Sequence, residues 1–287
     1  MNEELTKVLP KEYDFNLSDF ALFLSVMKNK EAYECTLSII LEEEDLKLTE
    51  VKVEQVILNR SGKRAIRLDA WASDNKNRQI NTEMQNDTDG DDIRKRARYY
   101  QGLLDSPVLK AGKKTRYKNL PSTIIIFITQ EDIFGKNRTK YTFTEQCEEI
   151  PGLSLEDGTR KIFLNMSSKN GTPELVSLLQ YMKETRLDNP EIMVKDKRIE
   201  KLDTIVSEVK QSEEWEAVKM SILKIGLDKG REEGRELGIR ALVLDNIEEG
   251  VSEERILSKL QRHFMLNEEQ AKEYYLRYKK EGVLQTK

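Results

Sequence analysis

Imidazole is nearly absent from this sequence: its one histidine, His263, lies in a charged C-terminal segment. That scarcity argues against Ser-His-Asp, Cys-His and HExxH chemistry, each of which depends on histidine. There are two cysteines, Cys35 and Cys147, and they lack the paired spacing of a zinc site or a disulfide framework. They read as reduced thiols of a cytoplasmic protein. No run approaches the ~18 apolar residues of a membrane span, and the charged start MNEELTKVLPKEYDF has no apolar signal core. No glycine-rich phosphate loop is present, which removes support for an ATP-driven function. A surplus of positive charge is missing too. The net charge is −4, so any contact with nucleic acid must be local. If the protein is an enzyme, its work falls to carboxylates.

Hydrophobic residues make up 38% of the chain and charged residues 35%, enough apolar side chain for a core beneath a highly charged surface. The length of 287 residues suggests two units, one sizeable domain and a smaller appendage. The segment NLSDFALFLSVMKNKEAYECTLSIILEEE holds two apolar stretches divided at Lys28-Asn29-Lys30, the second with a helical face. Three strand-like runs follow, Val51–Leu58, Ala65–Ala72 and Gln79–Gln85. They are separated by turn formers and should make an antiparallel meander. IRKRARYYQGLLD reads as a helix with Ile93, Ala97, Tyr100 and Leu104 on one face and Arg94, Arg98 and Gln101 on the polar one. TIIIFIT, Thr123–Thr129, reads as a strand buried on both faces. Tyr141–Thr144 and Arg160–Asn165 are further strand candidates, and Thr172-Pro173 should open a helix.

The order αβββαβ predicts an α/β fold with a mixed sheet and a helical C-terminal extension. Residues 1–188 are read as the main domain, 189–240 as a charged helical connector and 241–287 as a small helical unit. Within the connector, Gly226, Gly230, Gly234 and Gly238 recur every fourth residue. The stripe suits either a solvated connector or a helix-pairing surface, and on the second reading it would join copies of the chain in a homo-oligomer.

The chemistry-bearing residues lie on adjacent strands. In INTEMQ, alternation places Glu83 and Gln85 on one face; in IRLDAWAS it places Asp69 away from Leu68. A hairpin symmetric about Lys76 would set Asp69 opposite Glu83, with Cβ atoms roughly 4.5–5.5 Å apart. Two carboxylates that close resist joint ionisation unless a cation lies between them, and a hard divalent ion such as Mg²⁺ resolves the conflict. The competing reading is a surface hairpin with scattered acids, in a chain with 52 of them. Trp71 on the Asp69 strand either stacks a base or packs under the N-terminal helix. The basic loop LKAGKKTRYKNL, with Lys113 and Lys114, is either a phosphate-steering element or simply solvated.

The ordered pattern RLDAWA, NTEMQ, RKRARYYQGLLDS, IIIFIT and DGTRKIFLN resembles the PD-(D/E)XK family transposases, also described as recombination-promoting nucleases. The likeness covers most of Ala21–Leu179, and KGREEGRELG is also like those proteins. It implies a restriction-endonuclease-like core and a Mg²⁺- or Mn²⁺-dependent endonuclease acting on DNA, with a role in recombination or mobile elements. It also implies catalytic roles for Asp69, Glu83 and Gln85. Asp69 and Glu83 would be metal ligands, joined by an acidic residue of the first helix, Glu31 in preference to Glu34. Gln85 stands where many such enzymes carry lysine; it has no charge to offer and can only orient water or phosphate by hydrogen bonds. Arg98 is placed to meet a phosphate oxygen, and Tyr100 is either core or site. Two other readings remain, a catalytically silent interaction protein on the same fold and an RNA-directed nuclease.

Overall fold

The computed structural model describes residues 14–58, 64–86, 90–108 and 116–285. The chain divides into two compact units, Met1–Trp215 and Glu216–Lys287. The first is an α/β unit built on a six-stranded mixed sheet, ordered β1-β2-β3-β4-β6-β5.

Two helices open it, α1 (Phe20–Met27) and α2 (Lys30–Leu41). The polar break between them is a cap: Asn29 Oδ1 accepts from the amides of Glu31 at 2.9 Å and Ala32 at 3.2 Å. The strands β1 (Leu48–Ile57), β2 (Ile66–Asp74) and β3 (Gln79–Gln85) form the antiparallel meander. Pairs such as Ala70 with Thr82 and Ser73 with Gln79 give the β2–β3 hairpin the symmetry about Lys76 that its sequence predicts. The turn locks that register. Asp74 Oδ1 accepts from the amides of Lys76 and Arg78, and Arg78 ties Asp74 to a two-pronged contact with Glu43. Asn77 takes the left-handed turn conformation at φ 55°.

The helix α3 (Ile93–Asp105), capped by Asp92, leads to β4 (Thr123–Thr129), which pairs parallel to β3 and is buried along its whole length. Then come β5 (Lys140–Phe143) and β6 (Thr159–Asn165), β6 parallel to β4 and β5 antiparallel at the edge. The helix α4 (Pro173–Lys183) starts with Thr172 in the cap position and Pro173 in the first turn. The helix α5 (Lys197–Lys210) buries Ile199, Leu202, Ile205 and Val206 and packs on α2.

The sheet has two differently covered faces. On one, Ile93, Ala97, Tyr100 and Leu104 of α3 pack with Ile66, Leu68, Trp71, Ile125, Phe127 and Phe163. The other face receives α2, whose Tyr33 hydroxyl donates to the Ala70 carbonyl at 3.0 Å and is hydrogen-bonded to the Thr82 hydroxyl at 2.9 Å. Trp71 is therefore packed, but beneath α3 and not beneath the N-terminal helices. Its Nε1 donates to Gln79, and Lys52 Nζ lies 5.1 Å from its ring centroid. Gln101, assigned to the polar face of α3, is buried as well.

The second unit is helical, comprising most of α6 (Glu213–Glu248), α7 (Glu253–Phe264) and α8 (Glu268–Gln285). Its core gathers Ile239, Val243, Ile256, Leu260, Tyr275 and Tyr278. Of the glycine stripe, only Gly238 is closely approached: a Cβ there would meet the Phe264 ring at 3.2 Å, whereas Gly226, Gly230 and Gly234 face open space.

Candidate active site

The site forms where the regular sheet breaks down. The antiparallel pairing of β2 with β3 runs through Ala70 and Thr82, and at the next position the side chains take over from the backbone. Asp69 N–H donates to Glu83 Oε1 at 3.0 Å, while Asp69 Oδ2 accepts from the Met84 amide at 3.0 Å. Each carboxylate thus fills a hydrogen bond that a continuous ladder would have made with main chain. The neighbouring strand is distorted at the same level: Glu54 of β1, between the Val53–Ala70 and Gln55–Leu68 pairs, lies at φ 50°. A non-glycine residue there costs on the order of 1 kcal/mol, and such strain tends to collect at functional sites. Alternation breaks with it, since Leu68 and Trp71 share the core under α3.

Both acids are withdrawn from water, Asp69 at 7% exposure and Glu83 at 0%. Burial pushes the Asp69 carboxyl up to about 7, with the Glu83 charge adding to the rise, and burial likewise raises Glu83. The hydrogen bonds to these oxygens work in the opposite sense but do not offset burial. Asn81, on the Glu83 face, donates from Nδ2 to Glu83 Oε1 at 2.9 Å. Its own Oδ1 is buried and meets no donor among the described residues.

The side chain that completes the cluster comes from α3. Arg96 donates to Glu83 Oε2 at 2.8 Å, to Gln85 Oε1 at 2.8 Å and to the Tyr100 hydroxyl at 3.0 Å. Its guanidinium carbon lies 5.1 Å from the Tyr100 ring centroid and 5.4 Å from that of Phe127. Because arginine has only donors, the Gln85 atom facing it must be the carbonyl oxygen, which leaves the amide NH₂ as the opposite end of that side chain. Beside the cluster opens a cavity of 580 Å³ whose lining includes Asp69, Arg96, Tyr99 and Tyr100, with Arg64, Arg67 and Lys95 supplying further positive charge and Asp91 one more negative charge. This is the local cationic surface that the net charge of the chain conceals.

Asp69, Glu83 and Gln85 are therefore brought together, and the other candidates lie elsewhere or outside the described residues. Glu31 stands apart, paired with Lys201 at 3.2 Å. Tyr33 of α2 reaches Ala70 and Thr82 beside the site, and Glu31, two positions earlier, lies roughly 200° around the helix from it. Glu34 is occupied with the Leu48 amide and Lys47. Arg98 is exposed and is not among the residues lining the cavity. Lys113 and Lys114 lie outside the described residues. Arg96 was missed because it reads as one more charge on a basic helix. Its signal was its spacing, three after Ile93 and four before Tyr100, on the edge of the buried face.

Carboxylate and amide oxygens converge here, and neither cysteine nor the histidine belongs to the cluster. Such a donor set suits a hard divalent cation, and the buried Asn81 Oδ1 adds an oxygen in need of a partner. No group of three or more Asp, Glu, His or Cys side chains suited to a metal occurs among the described residues. Any ion would rest on two carboxylates plus amide or water oxygens. No helix among the described residues is long and apolar enough to cross a membrane.

Searches among curated proteins and among solved structures give no match. A family model does match: the one described as PD-(D/E)XK nuclease family transposase aligns with residues 14–232, spanning every strand of the sheet and the whole cluster around Asp69 and Glu83.

Proposed function

The chain belongs to the PD-(D/E)XK nuclease family transposases, and from that premise we propose that it is a divalent-metal-dependent endonuclease that hydrolyses phosphodiester bonds in DNA, in the recombination or mobile-element setting that the family's name implies. The observation that carries this reading is the pair of buried carboxylates, Asp69 and Glu83, meeting at an interruption of the sheet beside a cationic cavity. Asp69 and Glu83 would hold Mg²⁺ or Mn²⁺. When bound, such an ion supplies charge stabilisation at the phosphate and eases deprotonation of water.

The remaining chemistry belongs to the chain. Arg96 donates to the Gln85 carbonyl and fixes that side chain, which orients the attacking water or a phosphate oxygen by hydrogen bonds. Arg64, Arg67 and Lys95 draw the nucleic-acid backbone to the cavity. The carboxylates' burial keeps bulk water from the reacting groups and strengthens each charge interaction among them. The C-terminal helices serve self-association, a reading supported by the exposed Met220, Ile225 and Leu237 of α6.

The test is cleavage of supercoiled plasmid, linear duplex, single-stranded DNA and RNA by purified full-length protein in Mg²⁺, Mn²⁺ or EDTA. Metal-dependent nicking or cutting of DNA supports the reading. RNA cleavage alone would redirect it to RNA, and no cleavage of any substrate would contradict it.

A further inference from the structure

The guanidinium of Arg96 is bound more tightly than a steering charge requires. Its three nitrogens are spent on Glu83 Oε2, Gln85 Oε1 and Tyr100 Oη, and its guanidinium carbon lies 5.1 Å and 5.4 Å from the Tyr100 and Phe127 ring centroids. Glu83, fully buried, has its other oxygen engaged by Asn81 Nδ2 and the Asp69 amide. A cation that recruits Glu83 must therefore win an oxygen from an existing donor. Arginine keeps its proton at every accessible pH, so it cannot yield by losing charge; it can yield only by moving or by sharing.

From this geometry we infer that Arg96 is a positioning residue that sets the cation affinity of the site, its guanidinium competing with the divalent ion for Glu83 Oε2. The inference rests on the metal-site reading above and adds to it a residue that opposes the ion while ordering the groups around it. A positive charge within a few ångströms of a dication in a partly buried site repels it strongly. The same contact holds Glu83 and Gln85 in one orientation and so limits what the site loses in ordering its ligands. Removing Arg96 should consequently strengthen metal binding and weaken catalysis, two effects of opposite sign. A residue that only supported the fold would weaken both.

The experiment is a Mn²⁺ titration of full-length protein, followed by electron paramagnetic resonance of free Mn²⁺ and by calorimetry, without nucleic acid. Wild type is compared with Arg96→Met, Arg96→Gln, Arg96→Lys and Asp69→Asn, with circular dichroism checking each fold. Both neutral variants should bind Mn²⁺ at least about tenfold more tightly than wild type. Arg96→Lys, which keeps the charge, should stay within about threefold of wild type, and Asp69→Asn should lose the site. Arg96→Gln keeps hydrogen-bonding capacity and serves if Arg96→Met does not fold. Unchanged or weaker Mn²⁺ binding in a folded neutral variant, with loss in Asp69→Asn intact, overturns the role of Arg96 alone. No Mn²⁺ binding by wild type overturns the metal site and this inference with it.

Discussion

Asp69 and Glu83 are joined through each other's strands: the Asp69 amide donates to Glu83 Oε1, and Asp69 Oδ2 accepts from the Met84 amide, each at 3.0 Å. The link holds two buried acids side by side; Arg96 pairs with Glu83 Oε2, whereas Asp69 Oδ2 accepts from the neutral Met84 amide. Such an arrangement is unfavourable for folding unless a cation or a proton relieves it.

Stability should record that conflict. The folded Asp69 carboxyl sits at about 7, above its ordinary 3.8. Its favourable contribution is therefore full below about pH 4 and is lost as pH rises toward 7. In EDTA, Asp69→Asn should melt higher than wild type at pH 7.5, by about 5 °C or more, and the difference should shrink toward pH 4. Comparing the two proteins cancels opposing groups such as Glu43, which Arg78 and Lys76 hold down to about 2. Equal melting temperatures across that range would show that the Asp69 carboxyl is not strained.

Gln85 and Arg96 make a second test. Gln85→Lys replaces an acceptor 2.8 Å from a guanidinium nitrogen with an ammonium group, so the variant should cleave at least about tenfold more slowly and melt lower. Adding Arg96→Gln should restore part of the lost stability. Wild-type cleavage and melting in the single variant would mean that the Arg96–Gln85 contact has no role.

Much of this was legible in the sequence, for identifiable reasons. The β2–β3 register followed from turn formers symmetric about Lys76, and β4 from an apolar run of strand length. What escaped depended on which side of each helix meets the sheet. Arg96 passed unnoticed among the charges of α3 although its spacing puts it at the edge of the buried face, and Glu31 was preferred although Tyr33, on another side of α2, is the residue bonded to Thr82 and Ala70. Alternation also gave no warning that Leu68 and Trp71 would share one core, beside the irregular backbone of Glu54 on the neighbouring strand.

Where the first unit ends is the third test. The stretch 189–240 reads as charged, yet α5 buries Ile199, Leu202, Ile205 and Val206, and Trp215 packs edge-on against Phe15 at 5.1 Å. Each such aliphatic side chain contributes about 1.5–3 kcal/mol, so losing four approaches a domain's whole stability. A chain truncated after Asp188 should therefore fail to fold cooperatively, whereas one truncated after Glu216 should melt cooperatively and keep metal-dependent cleavage. Cooperative melting of the shorter chain would show that α5 is dispensable.

The central claim is that Asp69 and Glu83 form one metal-dependent catalytic unit, and single-turnover cleavage of supercoiled plasmid tests it most directly. Wild type, Asp69→Asn, Glu83→Gln and the double variant are compared across a Mg²⁺ titration, each first shown to be folded. The account predicts Mg²⁺-dependent nicking by wild type, a loss of at least about 10³-fold in each single variant, and little further loss in the double variant, because residues acting as a unit are not additive. Wild-type rates in either folded single variant would contradict it.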